Sequence, residues 1–379
     1  MDFAWAPEQV GYRALVRAAL DDLLPPDWND RYVPESYASD LVVTFSRSFC
    51  AQLAERGLLM PHWPREFGGQ ESTDWNHFIL NEEMKAAGEP RGSQYMNVNW
   101  IGPTLMHYGT EAQKAQHLGG IASGKVIWCQ GFSEPNAGTD LAALRTRAER
   151  QGDHYVINGS KIWTSYARTA DWCFLLARTG KGRKDISIFL VPMDSAGISV
   201  TSFPGVIKFG HLNEVFFTDV RVPLENRVGD EGQAWPIITH ALSFERVGVP
   251  RYHTGLDALN RAVELLKKNG GWEDPITRSR AGNIVARFEA ARLMTYQVVD
   301  QRVKKIPPNT DANLARIWAL EAVTELLNFL VELVPECLTG ADPLLEDYFR
   351  INIPAGITGG TNEIQLDLIA QRGLELPRA

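Results

Sequence analysis

Cysteine is scarce in this chain: four occur in 379 residues, at Cys50, Cys129, Cys173 and Cys337. They stand far apart in sequence, without a CxxC pair or a Cys/His cluster, which excludes a zinc motif and a disulfide framework. They read as reduced thiols of a cytosolic protein, and no metal is expected. Long hydrophobic runs are missing too. The best candidate, Leu326 to Leu338, is broken by Asn328, Glu332, Pro335 and Glu336, so no membrane span is expected. The first residues, MDFAWAPEQVG, lack a basic region followed by an apolar stretch and are not expected to be a secretory signal. Positive charge is in deficit, 38 Lys and Arg against 46 Asp and Glu, for a net −8. That argues against nucleic acid as a main partner. A small anionic ligand stays open, because a few local basic residues suffice for one phosphate site. There is no internal repeat and no low-complexity tract.

The length is too great for one compact core and suggests two or three domains, and an apolar content of 44% is ordinary for a globular chain. Up to about residue 125 the pattern is helical. Glu8 to Leu24 has apolar residues at helical spacing and stops at Pro25-Pro26. Asp40 to Leu59 repeats it, with Leu41, Phe45, Phe49, Leu53 and Leu58 near one face. His62 to Gly69 reads as a loop. Helices follow around Trp75–Ala87 and Trp100–Tyr108, and Thr110 with Gln113 has the spacing of a capping box. From Val126 short alternating runs replace this period. Tyr155–Ile157, Asn158-Gly159 and Lys161–Thr164 spell a β-hairpin, and Asp171–Arg178, Asp185–Pro192 and Glu214–Val222 read as strands. From about Gln233 the helical period returns, with loops at Gly270–Pro275, Pro307-Pro308-Asn309 and Thr339–Pro343. The expected architecture is α+β: a helical domain over 1–125, a β domain over 126–232 and a helical domain over 233–379.

Chemistry concentrates between Trp128 and Ser165. The turn-rich Ser133-Glu134-Pro135-Asn136-Ala137-Gly138-Thr139-Asp140 offers hydroxyls and backbone N–H groups. Lys161-Ile162-Trp163-Thr164-Ser165 sets an indole two residues from a hydroxyl. A flat cofactor with polar edges and a diphosphate needs such donors and an aromatic wall. Trp163 taken alone is more often a core residue. Glu245 stands out separately: Trp235, Ile238, Leu242, Glu245 and Val249 follow steps of 3, 4, 3 and 4, which puts a carboxylate on a stripe that should face inward. A buried acid has its pKa raised by desolvation, as suits a general base, but a structural ion pair has the same spacing. Arg246 beside it reads, by itself, as solvated or ion-paired.

The Ser133–Asp140 and Trp163–Ser165 segments, joined through the intervening strands, resemble the acyl-CoA dehydrogenase family. Its flavin-binding middle domain carries Ser/Thr-Glu-Pro-x-x-Gly-Ser/Thr-Asp followed by Trp-x-Thr/Ser. The likeness covers nearly the whole chain and implies an N-terminal helical domain, a middle β-barrel or sandwich and a C-terminal helical bundle. It implies bound FAD and α,β-dehydrogenation of an acyl-CoA thioester, with a place in lipid metabolism and β-oxidation. By resemblance, Gln130, Phe132 and Ser133 meet the flavin ring edge and Gly138 and Thr139 the diphosphate. Trp163 lies on the ring face, Ser165 is near N5, and Thr361 and Glu363 complete the site.

The base is where the likeness turns informative. Most members place a glutamate just before a Gly-Thr near the C-terminus. The matching segment here, Ile357-Thr358-Gly359-Gly360-Thr361-Asn362-Glu363-Ile364-Gln365, has Gly359 at that position. A minority, including the isovaleryl- and long-chain-type enzymes and some bacterial steroid side-chain enzymes, take the base from the first long helix after the β domain, ahead of an arginine. Glu245 precedes Arg246 in that way. The resemblance therefore implies Glu245 as base, with Arg246, Gly359 and Gly360 at the substrate and the Gly359 N–H on the thioester carbonyl. Glu363 is the weaker candidate.

Two family segments that reach a neighbouring subunit's flavin are missing. Arg-x-x-Phe-Gly is replaced by Asn269 to Pro275, and Gln-x-x-Gly-Gly-x-Gly by Pro335 to Pro343. Such losses are seen in heteromeric members, so the expected assembly is a homo-oligomer or a heterotetramer with a related subunit. A cytoplasmic electron-transfer flavoprotein is the expected acceptor. The competing expectations are a flavin-dependent oxidase or monooxygenase on the same fold and a non-catalytic partner subunit.

Overall fold

The computed structural model describes residues 5–33, 35, 38–206, 210–245, 251–306 and 310–377, with only the backbone at 243–245. Helices come first: α1 (Pro7–Leu23), α2 (Asp40–Glu55), α3 (Asp74–Ala86), α4 (Gln94–Met96), α5 (Gly102–Tyr108) and α6 (Glu111–Ala122). Strands follow: β1 (Trp128–Gly131), β2 (Arg147–Gln151), β3 (His154–Lys161), β4 (Trp172–Arg178), β5 (Ile186–Pro192), β6 (Ile198–Ser202), β7 (Asn213–Pro223) and β8 (Arg227–Val228). The rest is helical: α7 (Ala234–Glu245), α8 (Arg251–Asn269), α9 (Pro275–Val303), α10 (Asp311–Leu333), α11 (Glu336–Thr339), α12 (Pro343–Asn352) and α13 (Asn362–Leu368). The α+β order read from the sequence is the order of the fold. Among the described residues no helix is long and apolar enough to cross a membrane, and no cluster of His, Cys, Asp or Glu is arranged to hold a metal ion.

The chain forms two compact units, each assembled from separate stretches. The first takes residues 18–72 and 89–245 and contains the whole sheet, in the order β6-β7-β3-β2-β4-β5-β8 with β1 beside β4. Strands β4 and β5 are buried at nearly every position, as their continuous apolar runs require. On β7, Val215, Phe217, Val220 and Val222 are buried and join Tyr155 and Ile157 of β3 in one core. Thr110 and Gln113 form the reciprocal capping box at the start of α6.

Asn158-Gly159 is not the expected hairpin turn. Strand β3 runs straight through it, and the hairpin with β2 closes at Gly152 and Asp153, where Gly152 has φ +62°. The pairing of β3 with β7 shifts register between Ile157 and Gly159: Thr218 and Asp219 of β7 face the single residue Asn158, so β7 bulges opposite the dipeptide, with Asp219 at φ +50°. Gly159 has φ +147°, and a Cβ there would lie 2.6 Å from the Thr146 Cα. The Asn158 side chain pairs with Asp219 across the bulge, donating 2.9 Å to its carboxylate and accepting from its N–H at 2.9 Å. A tight turn and a close backbone approach inside a strand both call for glycine, which is why the dipeptide misleads. Cys129 and Cys173, distant in sequence, are register partners on the parallel strands β1 and β4. All four are buried free thiols.

The second unit takes residues 1–17, 73–88 and 246–379. Its core is built on α8, α9 and α10 from Leu259, Phe288, Leu326, Phe329 and Leu330. Gly255 is required there, since a Cβ would meet the Phe288 ring at 2.2 Å. The predicted loop at Pro307-Pro308-Asn309 lies outside the described residues. Buried in this unit is Glu82 of α3. It accepts hydrogen bonds from the Tyr252 hydroxyl, from the Tyr296 hydroxyl at 3.0 Å and from Arg13 at 2.6 Å, with His253 Nε2 at 3.5 Å. Burial by itself would push this carboxyl above its ordinary 4.5, but hydrogen bonds from His253, Tyr252 and Arg13, with the charge of Arg13, bring it down to about 2. A depressed folded pKa gives stability that is fully present above pH 4.5 and is lost as the pH falls toward 2. Glu82→Gln is therefore expected to flatten the acid limb of a melting-temperature profile across that window. A profile as steep as the wild type's would contradict it.

Candidate active site

Two of the segments singled out in the sequence lie side by side in the first unit. Strand β1 delivers Gln130 and leads into Phe132 and Ser133. A tight turn follows, closed by Glu134 N–H to Ala137 O at 2.9 Å and Ala137 N–H to Glu134 O at 3.0 Å. Strand β3 ends at Lys161, and the next residue, Ile162, donates its N–H to Ser133 O at 2.9 Å, fastening Trp163-Thr164-Ser165 to the turn. On the other side Thr164 N–H reaches Asn213 O at 3.0 Å, and Asn213 Nδ2 returns to Thr164 O at 2.9 Å. Trp163, held between these anchors, adopts φ +60°, a left-handed conformation uncommon for an aromatic residue. Its indole is 56% exposed, with Phe203 edge-on at 5.4 Å, so it is not a core residue.

A buried ion pair lies beneath. Lys161 is fully buried and its Nζ donates to Phe132 O at 3.0 Å and to Glu134 Oε1 at 2.9 Å. Glu134 also accepts from the N–H groups of Arg145 (2.5 Å) and Thr146 (2.8 Å). Burial pushes the carboxyl up, yet the charge and hydrogen bond of Lys161, with the donors from Thr146 and Arg145, hold it below the usual range. The ammonium is itself pulled below the usual lysine range by burial, against the attraction of Glu134. Gln130 is fixed from its other side: its Oε1 accepts from the Trp100 indole N–H at 2.8 Å, which leaves the amide NH2 as the outward donor.

These groups suit a flat ring system bearing a diphosphate. Trp163 offers an exposed aromatic face, Gln130 a donor of fixed orientation, and Ser133 and Ser165 half-buried hydroxyls. Gly138 and Thr139 are exposed, and nothing lies within 4 Å of where a Gly138 Cβ would be, so a bulky anion has room at that backbone. Phe132 is buried, and its carbonyl is already taken by Lys161.

Helix α7 of the same unit ends at Glu245. Among its described side chains Ala234, Ile237, Ile238 and Ala241 are buried, whereas Trp235 and Leu242 are half-buried. The inward stripe is thus centred slightly to one side of the expected one, because two isoleucines and two alanines fit closer to the neighbouring chain than the indole does. Glu245 stands one turn beyond Ala241 in register; Arg246 and Val249 lie outside the described residues.

In the second unit, Gly359 and Gly360 form a turn with φ +66° and +93°, followed by Thr361, which caps α13 by accepting from Ile364 N–H at 3.4 Å. Glu363 is fully exposed, and its carboxyl is held below the usual range by its own backbone N–H and the Thr361 hydroxyl. An exposed, readily ionised carboxylate is a poor proton acceptor near neutral pH. Behind the turn, Arg316 of α10 donates to Thr358 O and to Gly360 O (3.2 Å), while Asn313 Nδ2 holds Gln365 Oε1 at 2.7 Å. Sequence reasoning missed Arg316, Asn313 and the Lys161–Glu134 pair. The available signal was polarity on a buried face: Asn313 and Arg316 interrupt the apolar stripe of Ala315, Ala319 and Leu320, and Lys161 ends the inward alternation of Tyr155 and Ile157. The two segments that depart from the family pattern fold as helix junctions. Asp274 caps α9 by accepting from Ile276 and Thr277 N–H, and Asp342 caps α12 while pairing with Arg261.

Three family models match in succession: the acyl-CoA dehydrogenase N-terminal domain over residues 6–125, the middle domain over 129–220 and the C-terminal domain over 232–374. The chain is 32% identical, over all of both proteins, to acyl-CoA dehydrogenase FadE26 of Mycobacterium tuberculosis. It is 34% identical to acyl-CoA dehydrogenase IpdE1 of Mycolicibacterium smegmatis, over 88% of each. Among solved structures it is similar to the Tcur3481-Tcur3483 steroid ACAD (33% identity, TM-score 0.88) and to the ChsE4-ChsE5 complex from Mycobacterium tuberculosis (31%, 0.87), covering 100% of each chain in both comparisons. The chain belongs to the acyl-CoA dehydrogenase family. It is an oxidoreductase acting on CH–CH groups of acyl-CoA thioesters, in a family of flavoproteins whose usual cofactor is FAD.

Proposed function

We propose that this chain is the catalytic subunit of a heteromeric, FAD-dependent acyl-CoA dehydrogenase that takes a bulky, steroid-like thioester, with Glu245 as its base. The observation that carries the reading is a complementary pair of positions. The turn that bears the base in most of the family is Gly359-Gly360 here, with no proton acceptor, while a carboxylate residue ends α7 in register with buried Ile238 and Ala241. The steroid class is supported by the description of one similar structure as a steroid ACAD, and the second subunit by the paired names of both similar structures. The exposed apolar side chains Val285 and Leu293 on α9 and Trp318 and Val331 on α10 also favour a covering partner. We assign domain boundaries after residues 125 and 232.

FAD, when bound, supplies the two-electron acceptor for the β hydrogen and its bonding pair. The remaining work belongs to this chain. Glu245 accepts the α proton, and the Gly359 N–H donates to the thioester carbonyl oxygen as negative charge develops there. By the family resemblance Gly360 and Arg246 would contact the substrate. Gln130, the main chain at Phe132, Ser133 and Ser165 would hold the ring edge, and Trp163 would lie against its face and exclude water. Gly138 and Thr139 would hold the diphosphate, and by the family resemblance Thr361 and Glu363 would also contact the flavin. A cytoplasmic electron-transfer flavoprotein is the acceptor this reading assigns.

The test is the visible spectrum, without oxygen, of this chain alone and co-expressed with a related subunit, before and after butanoyl-, octanoyl-, isovaleryl- and cholanoyl-CoA. The reading expects full flavin only in the co-expressed protein, bleached fastest by cholanoyl-CoA. A homo-oligomer saturated with flavin on its own removes the partner. A flavin that none of the four thioesters bleaches removes the dehydrogenase assignment.

A further inference from the structure

Gly359 and Gly360 leave the substrate turn with two consecutive residues of maximal backbone freedom. A donor on such a turn is useful only if something outside the turn fixes its direction. Arg316 is placed to do so. It is largely buried on α10, and its Nη2 donates to the carbonyl oxygens of both Thr358 and Gly360, bracketing Gly359. Gln365, fully buried, adds a donor to Gly360 O at 3.4 Å and is itself held by Asn313 at 2.7 Å. A trans peptide points its C=O and the following N–H in opposite directions. Drawing the Thr358 carbonyl toward α10 therefore turns the Gly359 N–H away from it, and the bond at Gly360 O does the same for the Thr361 N–H. The Gly359 N–H has no hydrogen-bond acceptor among the described residues, so it is left available to a ligand.

We propose that Arg316 is a positioning residue for the reaction: by holding the carbonyls on either side of Gly359, it aims the Gly359 N–H at the thioester oxygen. The inference rests on the role given to Gly359 above. Arg316 touches neither substrate nor flavin in this account and takes no proton. Its effect is to keep the donor in place before charge develops, so that no reorganisation is needed at the moment of reaction.

The experiment compares wild type, Arg316→Met, Arg316→Lys and Gln365→Met as flavin-loaded enzyme co-expressed with the related subunit. The probe is the α,β-unsaturated counterpart of whichever of the four thioesters bleaches the flavin fastest, isotope-labelled at its carbonyl. Its carbonyl stretching frequency is read in the complex, together with kcat, KM and the melting temperature. In the wild type the stretch should fall on binding. Arg316→Met should abolish that fall and lower kcat by roughly 10²–10³-fold with KM changed by less than about 3-fold. Arg316→Lys should restore part of both, and Gln365→Met should show a smaller loss of the same kind, which keeps the test open if Arg316→Met fails to fold. An Arg316→Met enzyme that retains the shift and a kcat within about 3-fold of wild type overturns the proposal. So does a loss seen only as a raised KM. A wild-type complex with no shift overturns the Gly359 reading and takes the proposal with it. Glu245→Gln should keep the shift while losing turnover, so a failure of the base assignment stays distinguishable.

Discussion

Glu245→Gln is expected to keep the fold, the flavin and thioester binding while turnover falls by about 10²–10⁴-fold, the span that a positioned general base contributes. Glutamine preserves the size and a carbonyl oxygen but cannot accept the α proton. The other groups within the candidate set do not replace it: Gly359 has no side chain, and Glu363 is exposed with its carboxyl held below the usual range. The informative companion is Gly359→Glu in the Glu245→Gln background, which puts a carboxylate where most of the family has one. Gly359 has φ +66°, and a side chain there costs roughly 1–2 kcal/mol, so only partial recovery is expected. Anaerobic stopped-flow reduction of the flavin measures both variants. Reduction by Glu245→Gln within about 10-fold of wild type would place the base elsewhere.

Lys161→Met is expected to lower stability by about 3–5 kcal/mol, because it leaves the Glu134 carboxylate buried without its cation. For a unit of this size that is a fall of roughly 10 °C in melting temperature. The flavin should be lost as well. Lys161 ties Phe132 O to Glu134, and Glu134 ties the turn to the N–H groups of Arg145 and Thr146, so both segments proposed to hold the cofactor lose a common fixing point. The double change Lys161→Met with Glu134→Gln removes both charges and should recover much of the stability, though less of the flavin. Differential scanning calorimetry and the flavin-to-protein absorbance ratio after gel filtration separate the two effects. Unchanged flavin content in Lys161→Met would mean that the pair supports the sheet alone. The pair also carries an acid sensitivity. Glu134 has a depressed folded pKa, so its contribution is complete above the ordinary carboxylate range and is lost as the pH falls through the folded value, when Lys161 is left unpaired.

The order of the fold was legible because the hydrophobic period changes twice, near Val126 and near Gln233, and those changes survive any tertiary context. Short elements were not: β1, β2, β6 and β8 span between two and five residues and carry little alternation of their own. Asn158-Gly159 gave the wrong element because local chemistry specifies a permissive backbone, whereas the choice between a turn and a strand opposite a bulge is made by β7 across the sheet. Within the site, the Ser133–Asp140 and Trp163–Ser165 segments were visible as contiguous motifs. Lys161–Glu134 and Arg316–Gly360 were not, since each joins residues 27 and 44 positions apart whose pairing depends on the finished fold.

The second unit closes around Glu82 only after most of the chain has been made. Its hydroxyl partners Tyr252 and Tyr296 come 170 and 214 residues later. At roughly 5–20 residues per second on the ribosome, that is a delay of about 10–40 s. Arg13 emerges first and can neutralise the carboxylates of Glu82 and Glu83 early, whereas the aromatic and helical cover arrives last. The stretch from 89 to 245, which contains every strand, is contiguous and can collapse in the interval. During synthesis α3 therefore waits without its aromatic cover while the strand-bearing stretch is already able to fold.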